Sequence, residues 1–245
     1  MTRFCQKIGC KGYPDFKLRF LAELRQASSQ AHAIEGEVLM TPRENAVSLL
    51  RKITEVQHRS VEQTRAELDL NQLIRVYQRL LDAQHLDFYA YDSSACIAEY
   101  ACNQFYFAGK RAQIYRDTNM QGLNASIPAT GHVAILLSHT GRNARLVALA
   151  KLLRRNGTPV IAITCSRQCP LADAASEALV AVTLRDQINE FWVQSFASSA
   201  KYLLDLLASM VFSQDYAHNM EHNARYEAFG RDNLWPLMEE KPYKK

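Results

Sequence analysis

A chain of 245 residues that is 48% apolar and 22% charged has the balance of an ordinary globular protein, long enough for one large domain or a domain with an appendage. The net charge of +4 excludes a polycation, and the longest apolar runs, Val133 to Leu137 and Val160 to Ile163, fall far short of the ~20 residues of a membrane-spanning helix. Arg3, Gln6, Lys7 and Lys11 interrupt any apolar leader, so the sequence reads as cytoplasmic.

The first elements are helix, turn, helix. Phe4, Cys5 and Ile8 share helical spacing, Gly9 and Gly12 break it, and Pro14 opens a second helix carrying Phe16, Phe20, Leu21 and Leu24. Arg3, Gln6 and Lys7 can share the opposite face, and Lys11 in the turn can meet a phosphate. The basic excess is concentrated here, with Arg3, Lys7, Lys11, Lys17, Arg19 and Arg25 against Asp15 and Glu23; a solvated basic helix shows the same pattern. Residues 27–42 are polar and small and read as a linker. Thr41 as N-cap, Pro42 at the first helical position and Glu44 two residues later predict a helix start. Val47, Leu50, Ile53 and Val61 continue it, and a second helix bears Leu73, Ile74, Tyr77, Leu80 and Leu81. These helices either cover the following domain or pair with another subunit.

Beyond Leu86 short apolar runs alternate with helical segments. The predicted strands are Asp87–Tyr91, Ala112–Tyr115, Val133–Leu137, Val160–Thr164 and Leu179–Thr183. Helices are predicted over Ala95–Phe107, Met120–Ala125, Arg142–Asn156 and a short stretch after Pro170. The alternation implies an α/β fold: a flavodoxin-like, five-stranded parallel sheet of order 2-1-3-4-5, covered on both faces. An amphipathic helix from about Gln187 to Phe212 closes it, and residues 215–245 read as a polar, irregular tail. The six cysteines, Cys5, Cys10, Cys96, Cys102, Cys165 and Cys169, show no zinc spacing and read as reduced packing residues; neither metal nor cofactor is expected.

In such a sheet ligands bind beyond the carboxyl ends of the strands where the order reverses, between strands one and three. The first strand delivers Asp92, Ser93 and Ser94 to a helix start, and the third delivers Ser138 through Asn143. Free amides, the positive helix end and hydroxyls together make an anion seat. Ordinary capping and turn chemistry uses the same residue types.

The region from about Leu73 to Met210 resembles a sugar isomerase (SIS) domain, a phosphosugar-binding module, and Ser138-His139-Thr140-Gly141-Arg142-Asn143 resembles its S-x-S-G-x-T signature. The string from Arg3 to Lys17 is similar to the end of the helix-turn-helix domain of RpiR-type bacterial regulators, which join that domain to an SIS effector domain. The resemblance implies four parts: the C-terminal portion of a helix-turn-helix domain over 1–26, a linker over 27–42, the SIS domain with its leading helices over 43–214, and the tail over 215–245. It implies a DNA-binding transcriptional regulator of sugar metabolism, present as a dimer or tetramer. Ser93, Ser94, Ser138, Thr140, Gly141 and Asn143 would hold a phosphosugar, and Arg3, Gln6, Lys7 and Lys11 would contact operator DNA.

Three departures from the family pattern stand out. The chain is expected to begin inside the recognition helix, with Met1 where related sequences tend to have valine, so that specific operator binding is weak without the preceding helices. Ala90-Tyr91-Asp92 replaces G-x-G, and the Asp92 carboxylate both repels a phosphate and fills room that glycine leaves open. Thr140 and Asn143 replace a serine and a threonine but keep hydrogen-bonding capacity. Two alternatives remain. An SIS-fold isomerase would need a base, for which His132, His139, Glu177 and His218 are candidates without any acid–base spacing. A dimerising scaffold would need no ligand.

Overall fold

Five strands, β1 (His85–Ala90), β2 (Arg111–Ile114), β3 (His132–Leu137), β4 (Val160–Thr164) and β5 (Glu177–Val180), pair in the order β2-β1-β3-β4-β5, all parallel. The computed structural model describes residues 43–184 and 192–233. The candidate DNA contacts Arg3, Gln6, Lys7 and Lys11, the linker, Thr41 and Pro42 lie outside the described residues. The predicted order therefore stands, and every predicted strand is present with ends shifted by up to three residues.

Side-chain alternation along each strand divides the interior into two layers. Phe88, Ile135, Ile161 and Ile163 face a core completed by α2 (Leu70–Asp82), α3 (Asp92–Phe107) and α7 (Trp192–Gln214). Tyr89, Leu136, Val160 and Ala162 face the other core, against α5 (Ala144–Arg155) and the short α6 (Pro170–Ala174). The helix α4 (Thr118–Ser126) adds Ala125 to this second layer. The crossover from β1 through β2 back to β3 places α3 and α5 on opposite faces. The loops that open these two helices consequently meet at one sheet end, where Ala90 pairs with Leu137.

The leading helix α1 (Ala46–Ala66) starts later than the Thr41-Pro42 pattern predicts. Asn45 is its N-cap, its side chain accepting from the Ser48 amide at 2.9 Å, and Arg43 with φ 62° cannot belong to a right-handed helix. Its buried face is made of Val56, Ser60 and Thr64. Ser60 Oγ lies 2.7 Å from Ser195 Oγ on α7, and the Thr64 hydroxyl accepts from the Val182 amide at 3.0 Å. Ser199 donates to the Val182 carbonyl at 2.7 Å, so hydroxyls join α1, α7 and the chain leaving β5. Lys110 closes the other end of α2, donating to the Leu81 and Ala83 carbonyls at 2.6 and 2.8 Å.

The tail expectation needs correction. Residues Tyr216–Asn233 form a helix, α8, rather than an irregular segment. Its sequence has no clear apolar stripe, which concealed it; its anchor is instead polar. Asn219, 3% exposed, donates to the Phe212 carbonyl at 3.0 Å, and the Tyr226 ring meets Phe107 edge-on.

Candidate functional site

An open cleft of about 370 Å³ lies at the carboxyl end of the sheet, lined by Tyr91 and Asp92 on the α3 side and by Asn143, Ala144 and Arg145 on the α5 side. Its volume suits a small polar ligand. The two predicted loops thus come together at the strand-order reversal, as the sequence pattern requires.

The α5 wall is built on a tight turn. The Gly141 amide donates to the Ser138 carbonyl at 3.2 Å, with Gly141 at φ 62°. A Cβ there would run into Cys169 Sγ and sit 2.8 Å from Thr164 Oγ1, so only glycine allows β4 and α6 to pack this closely on the loop. The Thr164 hydroxyl donates to the His139 carbonyl at 3.1 Å, and the Leu171 amide to the Gly141 carbonyl at 3.0 Å, fixing the loop from below. Asn143 is the N-cap of α5: its side-chain oxygen accepts from the Arg145 and Leu146 amides at 3.0 and 3.2 Å. That oxygen performs ordinary capping, leaving its amide group, the Ala144 amide and the Arg145 guanidinium to meet a ligand.

The α3 wall differs. Tyr91, the N-cap residue of α3, provides no side-chain cap, whereas Asn45, Asp69, Asp117 and Asn143 cap α1, α2, α4 and α5. The first-turn amides of α3 are therefore the less occupied donors at the cleft. Tyr91 is held from behind: its hydroxyl donates to Gln121 Oε1 at 2.6 Å, and the fully buried Gln121 donates in turn to the Tyr115 carbonyl at 2.7 Å. Asp92, which opens α3, has φ 51°, the left-handed region that favours glycine and next tolerates Asn and Asp. The glycine expected there by family pattern is thus replaced by one of the few residues that can hold its backbone conformation.

Of the six predicted ligand contacts, Asn143 lines the cleft itself. Ser93 is exposed and Ser94 is 8% exposed on the first turn of α3; Ser138, also 8% exposed, leaves β3; Thr140 is exposed and Gly141 buried in the turn. All five belong to the two loops that frame the cleft. The Thr140 hydroxyl accepts a long 3.4 Å contact from the Arg142 amide. Sequence reasoning missed Tyr91, Ala144 and Arg145 as lining residues; the position of Arg145 in the first turn after the signature was the available signal.

None of the four candidate bases lines the cleft, although His139 belongs to the turn between Ser138 and Thr140. His132 begins β3 at the opposite sheet end; it is half-buried, its Nδ1 2.7 Å from Asp87 Oδ2 and its ring stacked on His85. Glu177 opens β5, and Arg75 and Gln72 hold its carboxyl below the usual range. His218 is on α8, and His139 packs its ring on Phe196, 5.0 Å between centroids. Among the described residues no group of three His, Cys, Asp or Glu side chains could hold a metal, and no helix is long and apolar enough to cross a membrane.

The SIS domain profile matches residues 79–204. The chain is 32% identical over 184 residues to the HTH-type transcriptional regulator HexR of Escherichia coli, covering 75% of this chain and 61% of the relative. It is 30% identical over 181 residues to an uncharacterised HTH-type transcriptional regulator of Haemophilus influenzae, covering 74% and 62%. The chain thus spans about three fifths of the length of these relatives. The Vibrio vulnificus NanR protein, in its complex with ManNAc-6P, shares the fold with a TM-score of 0.67 at 21% identity, covering 92% of this chain and 78% of that one.

Proposed function

This chain belongs to the SIS domain family, and from that premise we propose that its cleft seats a phosphosugar and that the protein is a transcriptional regulator of sugar metabolism answering to it. The observation that carries the reading is the cleft where β1 and β3 deliver an uncapped helix start and a hydroxyl-rich turn to the same place. An oxyanion at that point gains amides, hydroxyls and the Arg145 guanidinium. The regulator names of the curated relatives and the sugar phosphate bound by NanR support it. None of His132, His139, Glu177 and His218 lines the cleft, and His139, in the turn beside it, packs its ring on Phe196, which favours sensing over isomerisation. Residues 1–26 are assigned to operator contact through Arg3, Gln6, Lys7 and Lys11. Operator DNA and a further copy of the chain are the proposed partners, in the cytoplasm.

A ligand that favours one arrangement of the regulator must bind the two arrangements unequally. Thermal unfolding of the 245-residue protein with a panel of sugar phosphates, and with inorganic phosphate, tests the reading. At least one sugar phosphate should raise Tm in a concentration-dependent way, and Ser138→Ala should weaken that ligand about tenfold or more by removing a charge-assisted hydrogen bond. Indifference to the whole panel would leave the scaffold reading instead. Turnover of any member would make the protein an isomerase.

A further inference from the structure

The cleft carries unlike charges on its two walls: the Asp92 carboxylate on the α3 side and the Arg145 guanidinium on the α5 side. No ion pair joins them, and Asp92 has no hydrogen-bond partner among the described residues. An aspartate in the first turn complements the α3 dipole, but an anion seat does not call for one, because the charge works against the phosphate that the amides attract. The backbone does not explain the carboxylate either. At φ 51° glycine is the unstrained choice and asparagine fits as well as aspartate. What aspartate adds over both is a negative charge in the cleft.

We infer that Asp92 makes this cleft select phosphosugars bearing a cationic amino group, the phosphate seated against the Ser138–Arg145 wall and the ammonium against Asp92. This deepens the sensor reading and rests on it. A ligand with a phosphate at one end and an ammonium at the other matches both walls, whereas a neutral phosphosugar offers Asp92 only hydroxyl donors. The Ser138 hydroxyl makes no hydrogen bond within the described residues although the residue is only 8% exposed, so a donor is available on the wall that takes the phosphate.

Isothermal titration at pH 7 with glucosamine 6-phosphate, N-acetylglucosamine 6-phosphate and glucose 6-phosphate tests it, on the wild-type protein and on Asp92→Asn. The amino sugar should bind about fivefold or more tightly than either counterpart, which carries a neutral amide or hydroxyl in place of the ammonium, the scale of one partly exposed ion pair. Asp92→Asn should bring the three affinities within about twofold, and 0.5 M salt should shrink the wild-type preference. Because asparagine tolerates the same φ, the ligand-free Tm of Asp92→Asn should stay near that of wild type; a second variant, Asp92→Gly, should likewise lose the preference. Equal wild-type affinities, or a preference unchanged in Asp92→Asn and Asp92→Gly, would overturn this inference and leave the sensor reading standing. Failure of all three to bind, together with indifference to the wider sugar phosphate panel, would overturn both.

Discussion

Replacing Gly141 by alanine tests whether the turn after β3 is held by close packing. The new Cβ would collide with Cys169 Sγ and sit 2.8 Å from Thr164 Oγ1 and 3.0 Å from Cys169 Cβ, in a backbone at φ 62° that disfavours any L side chain. The left-handed conformation costs alanine about 1 kcal/mol, and overpacking a rigid site adds about 1–3 kcal/mol. The expected loss is therefore about 2–4 kcal/mol, read as a drop in Tm of roughly 5–15 °C for a protein of this size. The collision cannot be relieved cheaply, because the Thr164 hydroxyl is tied to the His139 carbonyl and Cys169 is buried against α6. Cys169→Ala in the Gly141→Ala background removes the worst contact but neither the dihedral cost nor Thr164, so the double variant should recover about 1 kcal/mol relative to additivity. Urea unfolding of the four proteins of this cycle decides. A Gly141→Ala protein within about 0.5 kcal/mol of wild type, or strict additivity with Cys169→Ala, would refute the packing argument.

Asp87, 1% exposed, accepts from Gln113 at 3.0 Å and pairs with His132 at 2.7 Å. Asp87→Ala should destabilise by about 2–4 kcal/mol in urea unfolding, and Asp87→Asn by less, since it still accepts a hydrogen bond. Glu177 is held below its ordinary value of 4.5 chiefly by its hydrogen bond to Arg75, against some desolvation. A lowered folded-state value contributes stability above the unfolded value and loses it as pH falls through the folded one, so wild type should lose about 0.5–1 kcal/mol relative to Glu177→Gln on acidification from pH 6 to below pH 4, followed by thermal unfolding. Burial pushes the Cys102 thiol up to about 12, while Cys96 is exposed. Iodoacetamide at pH 8 should modify Cys96 in the folded protein and reach Cys102 only after unfolding, as peptide mass mapping would show; equal rates would refute the burial.

The sheet was legible because its strands are short apolar runs separated by helices, and a buried parallel sheet has to be written that way. Val133–Leu137 and Val160–Thr164 fell within one residue of their observed ends for that reason. The helix α8 was not legible: Tyr216, Met220, Tyr226 and Phe229 are exposed, and what holds it is Asn219, a polar residue whose partner is a carbonyl of the preceding helix. The start of α1 was misplaced because Thr-Pro-x-Glu and Asn45 are both good helix openings, and Arg43 at positive φ excludes a helix running through from Pro42.

At the site, residue type located the loops but could not apportion their donors. Ser, Thr and Asn after β3 suited an anion and a cap equally, and coordinates assign the Asn143 oxygen to the cap through the Arg145 and Leu146 amides. The helix with the poorer sequence credentials, opened by Tyr91 and Asp92, is the one whose first-turn amides lack a side-chain cap. That difference depends on dihedral angles. Tyr91 is extended, at φ −126° and ψ 160°, its hydroxyl committed to Gln121, and Asp92 then turns through the left-handed region. A glycine signature at that position marks a backbone shape, and this chain keeps the shape while adding a carboxylate. Substitution of a family glycine by aspartate therefore does not by itself mean a lost pocket: at positive φ it leaves the cleft open and changes the charge a ligand meets there.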